Sequence, residues 1–367
     1  MRFSAAAART ATGDLVPMDA SAAGVGKVGF AKRLPIGVVV AITPFNFPLN
    51  MVCHKVAPAV AAGCPVVLKP ASATPLTALR LARLFAECGL PPGWLNVVTC
   101  SGSTANHLVE HPDISMITFT GSPEVGWGIR QRAPRRRVGL QLGNNAPVIV
   151  AEDADWETAS AKIAVGGYSF SGQSCISVQR VYVHRSLHER FVGDLSERVA
   201  ALRVGDPTDP DTELSALIAP KETERVEGMI DEAAEQGARV VTGGGRTGDR
   251  VLRPTLLDGV QSAMEVVRTE VFGPVVGVAA FDGLDEAIAS ANDTRYGLQA
   301  GLFSRDLGTA LRAADELDFG GVLVNEVPTW RADQQPYGGV RDSGNTREGP
   351  AYAVQEMTEL RMVVLQG

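Results

Sequence analysis

Residues 36–72 read IGVVVAITPFNFPLNMVCHKVAPAVAAGCPVVLKPAS. The opening run, 36–42, is apolar and about the length of a strand, far short of a bilayer span. A Pro/Asn turn follows, then a helix predicted over 49–61, then a second apolar strand, PVVLK, that ends at Lys69. Strand, helix and strand in this order make a βαβ unit, and continuous apolar strands belong to a parallel sheet covered on both faces. The alternation continues downstream. Helix 75–87, strand LNVVT, helix 103–110, strand SMITF, helix 124–131 and VGLQL follow in turn, so a doubly wound parallel sheet is predicted. Upstream, 1–11 reads as a helix and 15–34 as a hairpin.

A second α/β unit begins near residue 146 with strand PVIVA, an acidic turn at 152–155 and a helix over 156–168. The turn SGQSC, strand VQRVYVH, helices 187–202 and 221–236 and strand RVVTG continue it. The chain closes on MTELRMVVL (357–365), a strand without an evident partner in its own unit. A lone terminal strand and a lone early hairpin lead us to expect pairing between this strand and the 15–35 hairpin of a neighbouring subunit.

Composition narrows the function classes. Of 367 residues, 45% are hydrophobic and 20% charged, the balance of an ordinary globular protein with two domains. The net charge of −7 and the absence of a basic face argue against a nucleic-acid partner; Arg135–Arg137 reads as a solvated turn. No run is long enough for a membrane helix, and no signal peptide is evident, so a cytoplasmic protein is expected. Five cysteines without CxxC spacing fit neither a disulfide framework nor a metal cage, and no metal is expected. Four of them read as inert packing residues. Cys175 differs, because it lies in a Gly/Ser turn that can present a thiol to a cleft.

Eight motifs then occur in order: ITPFNFPLN (42–50), LKPAS (68–72), FTGSPEVG (119–126), LQLGNNAP (140–147), SGQSC (171–175), EVFGPVV (270–276), YGLQAGLF (296–303) and PYGGVRDSG (336–344). In this order and spacing they resemble the aldehyde dehydrogenase superfamily over nearly the whole chain. Within it, the segments around Cys175 and 325–349 are similar to the branch acting on lactaldehyde, glycolaldehyde or phosphonoacetaldehyde. The resemblance implies a Rossmann-type nucleotide-binding domain over about 1–145, carrying an oligomerisation hairpin at 15–35. It implies a catalytic domain over 146–340 and a C-terminal return with an oligomerisation strand over 341–367. A homo-oligomer, dimer or tetramer, is expected.

The resemblance also implies the site. A thiolate at Cys175 would add to a small aldehyde, since a soft nucleophile must convert the carbonyl to a tetrahedral adduct before hydride can leave. A buried structural cysteine is the alternative. The oxyanion would be met by the side-chain amide of Asn46 and the backbone N–H of Cys175; read alone, a turn asparagine between prolines would rather cap a helix. Thr43, Pro44 and Phe45 match cofactor contacts, and Lys69 and Ser72 would hold the adenine-side ribose of NAD or NADP. Many NAD-preferring relatives have glutamate at the position of Ser72, and a neutral serine removes a carboxylate that would repel a 2′-phosphate. Gly121 and Ser122 precede a helix whose N-terminal amides could receive the pyrophosphate. Glu270 and Phe272 match contacts to the nicotinamide-side ribose, and Lys55 matches a lysine near the oxyanion region. Arg331, in PTWRADQ, is a candidate for an anionic end of the substrate, with a surface or interface arginine as the alternative.

Three departures from the family stand out. Gln141 occupies the place of the glutamate that activates the deacylating water, and a carboxamide has no basic site at neutral pH. A positioned base is worth about 10²–10⁴ in rate, so slow deacylation is expected. Glu348 matches a deeper carboxylate that could relay protons in its place, or simply form an ion pair. Transfer of the acyl group to coenzyme A, and a pseudoenzyme or scaffold that binds without turnover, remain as alternative readings. Second, the family has a helical segment ahead of residues 1–11; without it, exposed apolar surface and poor solubility are expected unless the start is misassigned. Third, Cys100 and Asn106 stand where glycine is frequent, and Gly128 costs its helix about 1 kcal/mol against alanine; these bear on cofactor affinity rather than fold.

Overall fold

The computed structural model describes residues Met1–Gly367, and the chain divides into two units. The first comprises Met1–Gln141, Ala332–Tyr337 and Thr346–Gly367; the second comprises Leu142–Arg331 and Gly338–Asn345. Both are α/β, as the alternation of periods predicts.

In the first unit, five strands form a parallel sheet in the order Leu95–Val97, Val66–Lys69, Val38–Ile42, Ile114–Thr120, Arg137–Gln141. Val38–Ile42 lies at the centre, and the chain builds outward from it first to one side and then to the other. The order of strands therefore reverses beside it, which opens a crevice at the carboxyl ends of the central strands. Val39, Ala41, Leu68 and Met116 are buried in the sheet and pack with Val52 and Val56 of helix Asn50–Ala61. Each such side chain contributes about 1.5–3 kcal/mol by leaving water. Helix Leu76–Glu87 buries only Ala78 and leaves Leu76, Leu79 and Leu84 exposed.

The same unit holds an antiparallel sheet of Asp14–Val16, Lys27–Pro35 and Thr358–Gln366. This corrects the expectation for the terminal strand. Its partner is the hairpin of its own chain, in unbroken register from Thr358 opposite Pro35 to Gln366 opposite Lys27. The short helix Pro350–Glu356 returns the chain to the first unit, where the Ile36 N–H donates to Met357 O and the Arg137 guanidinium donates to Thr358 O. A pairing between opposite ends of a chain leaves no local sign in the sequence.

The second unit is built on seven strands in the order Arg239–Thr242, Thr255–Asp258, Val275–Phe281, Arg180–His184, Pro147–Val150, Gln299–Phe303, Gly321–Val324. All neighbours are parallel except the first pair. Helices Trp156–Tyr168 and Arg185–Ala200 cover one face through Ile163, Phe191 and Leu195; helices Leu284–Asn292 and Leu307–Glu316 cover the other through Ile288 and Ala313. No helix is long and apolar enough to cross a membrane.

Removing the terminal strand tests its role. A chain ending before Thr358 bares the ladder edge of Lys27–Pro35, and such edges pair with other chains. It is expected to melt several degrees lower and to self-associate, followed by calorimetry and light scattering. An unchanged melting temperature and a monodisperse sample would show that the strand contributes little.

Candidate active site

The carboxyl edge of the five-stranded sheet gathers the sequence-predicted cofactor residues of the first unit. Register aligns Ile42 with Lys69 on one side and with Phe119 on the other, and Thr120 with Gln141, so the turns that follow these strands emerge together. Thr43, Pro44, Phe45, Lys69 and Ser72 all line one cavity of ≈ 330 Å³ there. The Thr43 N–H donates to Lys69 O at 3.2 Å and the Thr74 hydroxyl to Phe45 O at 3.3 Å, which ties the two turns to each other. The Ser72 hydroxyl donates to Cys100 O at 3.2 Å. At Gly121 an added Cβ would lie 2.5 Å from the Phe119 ring, which would have to shift to admit it. Ser122 then caps helix Pro123–Arg132 by accepting the Val125 N–H at 3.5 Å.

Asn46 is buried in the turn before helix Asn50–Ala61, beside Phe47 at φ +46°. It does not cap that helix, whose N-cap is Leu49 without a side-chain bond. Lys55, one turn into the helix, is 1% exposed and donates to Glu348 Oε1 and to Thr118 Oγ1, each at 3.1 Å. Glu348 is fixed in turn by its backbone, which exchanges hydrogen bonds with Tyr337 at 2.9 and 2.6 Å. Gln141 stands apart from this pair. Its backbone carbonyl accepts the Gly121 N–H, but its carboxamide, 1% exposed, has a donor and an acceptor without partners. An unmet buried amide costs about 1–3 kcal/mol, a penalty that folds retain where the group has a task.

In the second unit, Cys175 follows the turn Ser169–Gly172 and is half-buried. The turn is strained and clamped. Phe170 and Ser171 both sit at φ +55°; the Ser171 hydroxyl donates to Ser215 O at 2.8 Å, and Gln173 Oε1 accepts the Ile218 N–H at 2.9 Å. At Gly172, φ is +68° and a Cβ would fall 2.0 Å from Gly273 O. Among the other thiols, burial pushes Cys53 and Cys64 above the ordinary thiol range, which disfavours their thiolates.

Glu270 and Phe272 lie on the loop that ends at that same Gly273. Gln179, missed in the sequence, holds the loop: its Oε1 accepts the Val271 N–H at 3.0 Å and its Nε2 donates to Val266 O and Thr269 O at 2.8 and 2.6 Å. Glu270 Oε1 accepts the Asn144 N–H at 3.1 Å. Asn144 and Asn145 are buried pins, their amides donating to Gln299 O and Val267 O. The signal for all three was present as uncharged amides inside otherwise apolar strand ends. Arg331 is half-buried on the loop after strand Gly321–Val324.

The profile of the aldehyde dehydrogenase family matches residues 1–363. The chain belongs to that family. It is 49% identical over 366 residues to a 3-sulfolactaldehyde dehydrogenase of Priestia aryabhattai, covering 100% of this chain and 76% of the relative. It is 37% identical over 369 residues to a lactaldehyde dehydrogenase of Methanococcus aeolicus, covering 99% and 78%. Among solved structures, the NADP-dependent glyceraldehyde-3-phosphate dehydrogenase of Bacillus halodurans, complexed with NADP, superposes with a TM-score of 0.96 at 38% identity, covering 100% and 77%. The sequence-level resemblance and the fold therefore agree, and the chain is a dehydrogenase of this class.

The Lys55–Glu348 pair separates a structural role from a chemical one. Glu348→Ala leaves a buried ammonium unpaired and is expected to cost about 3–5 kcal/mol in denaturant unfolding. Lys55→Met combined with Glu348→Leu removes both charges and should recover most of that loss. A double variant as unstable as the single one would contradict the ion-pair account.

Proposed function

We propose that this protein oxidises a small aldehyde to its acid with NAD or NADP, through a thioester on Cys175, and that it is slow to release that thioester. The observation that carries the reading is the placement of Cys175, half-exposed directly after a strained turn that is clamped on both sides, whereas Cys64 is buried. In this reading the first unit binds nucleotide and the second carries the nucleophile. The cavity beside Lys69 and Ser72 suits the cofactor: a largely aliphatic slot whose lining includes the cations Lys69 and Arg132, the hydroxyls of Thr43, Ser72 and Thr120, and no carboxylate. The absence of a carboxylate tolerates a 2′-phosphate, in keeping with the NADP bound by the Bacillus halodurans enzyme. Gly121 and Ser122 hold the pyrophosphate, and Glu270 and Phe272 the nicotinamide-side ribose. Bound there, the dinucleotide supplies the hydride acceptor.

The chain's own residues do the rest. Cys175 Sγ adds to the aldehyde carbon, and the amide of Asn46 with the N–H of Cys175 meets the oxygen as it gains charge. Lys55 and Glu348 form a buried ion pair within the first unit. Arg331 receives an anionic end of a short functionalised aldehyde, the substrate class suggested by the names of the relatives. Gln141 stands in the place of the base and orients water without deprotonating it. Its lack of a basic site favours one second reading, transfer of the acyl group to the thiol of coenzyme A. We further propose a homo-oligomer assembled through the sheet that carries Thr358–Gln366, where Leu360, Met362 and Val364 are exposed, and a reducing cytoplasmic setting in keeping with five free thiols.

Rapid mixing with a panel of small aldehydes should give a burst near one equivalent of NADH or NADPH per site, then a slow phase. Gln141→Glu should raise the steady rate about 10²-fold or more. A carboxylate buried there without a partner is held above its usual range, so this gain should grow as pH rises through that elevated pKa. Acceleration of the wild-type slow phase by coenzyme A would select the second reading. No burst with any aldehyde, or a Gln141→Glu variant no faster than wild type, would sink the proposal.

A further inference from the structure

The cavity at the carboxyl edge of the five-stranded sheet has two helical walls of different character from its strand end. On helix Gly102–Glu110, the residues Gly102, Ala105, Asn106 and Val109 face it, at spacings of three, four and seven that fall on one helical face. Val125 and Ile129 of helix Pro123–Arg132 supply the opposite wall, again four apart. A flat heterocycle suits the space between two such aliphatic faces. Asn106 is the one carboxamide among the lining residues; it is half-buried and hydrogen-bonds to nothing within the protein. Of the nearby hydroxyls, Ser72 is engaged with Cys100 O and Ser101 with the Thr104 N–H that it caps, while Thr120 Oγ1 at the strand end is buried without a partner.

A base entering this slot strips water from the Asn106 amide. Unless the base offers complementary groups, the amide is left unpaired at a cost comparable to a lost hydrogen bond. Adenine offers them, because its exocyclic N6–H₂ donates beside a ring nitrogen that accepts, the pairing that asparagine makes with adenine elsewhere. An alanine or glycine at this position would present no such requirement. We infer that Asn106 is a specificity-determining residue for the cofactor: its Oδ1 accepts the N6–H of the adenine base, so the pocket selects the base by hydrogen bonding as well as by stacking. The assignment rests on reading this cavity as the adenine end of the NAD or NADP site.

The test is a calorimetric titration of the full chain and of Asn106→Ala. The ligands are the tighter-binding of NAD and NADP and its 1,N6-etheno derivative, in which the N6–H is gone. Alanine suits a helical position, so the variant should fold. Wild type should bind the etheno compound about three- to tenfold more weakly than the parent, one hydrogen bond's worth. Asn106→Ala should lose about the same factor toward the parent and treat the two compounds alike. Equal discrimination by both proteins would trace the effect to ring size and overturn the assignment, as would no discrimination by wild type. Failure of wild type to bind either dinucleotide would instead bring down the cofactor reading, and this assignment with it.

Discussion

At Gly172 the backbone of the Cys175 turn lies against the carbonyl of Gly273, with a gap that no side chain can enter. That contact makes the turn that presents the thiol and the loop that carries Glu270 and Phe272 a single mechanical object. A left-handed glycine on one side and a fixed carbonyl on the other leave neither loop free to drift. Gln179 completes the lock from beneath by taking up one N–H and two carbonyls of the second loop. The placement of the Cys175 turn is thus set by backbone contact and buried amides rather than by charge.

Charge is used sparingly in the first unit. Lys55 is embedded among apolar neighbours and answered by one carboxylate and one hydroxyl, an arrangement that costs desolvation and returns it only while both partners are present. Gln141 is the converse case, a neutral amide that the fold leaves unanswered. A chain optimised for stability alone would fill that position with an apolar residue. Its polar side chain, nearly the shape of glutamate, is the feature on which the proposed slow deacylation rests.

Much of this was legible in the sequence. Val38–Ile42 and Val66–Lys69 are buried on both faces, so they read as unbroken apolar runs, and the turns between strands and helices carry Pro, Gly and Asn where the backbone needs them. Thr43, Lys69 and Gly121 fall on one rim, because the turns after aligned parallel strands emerge together. What escaped was non-local. The terminal strand pairs across the whole chain, and no pattern in MTELRMVVL names its partner. Gln179, Asn144 and Asn145 look like ordinary polar residues until their partners, many residues away, are seen. Lys55 did leave a trace, as the one lysine in a helix that is apolar from Val56 to Ala61.

The central claim, a thioester that forms on Cys175 and outlives its formation step, is open to direct weighing. Protein mixed with a small aldehyde and NAD or NADP, quenched in acid within the first turnover and analysed by intact-mass and peptide mass spectrometry, should carry one acyl group on the peptide containing Cys175. The adduct should be absent from Cys175→Ala and should fade faster in Gln141→Glu. A chain that turns over aldehyde with no acyl adduct at any time, or with the adduct on another residue, would contradict the account.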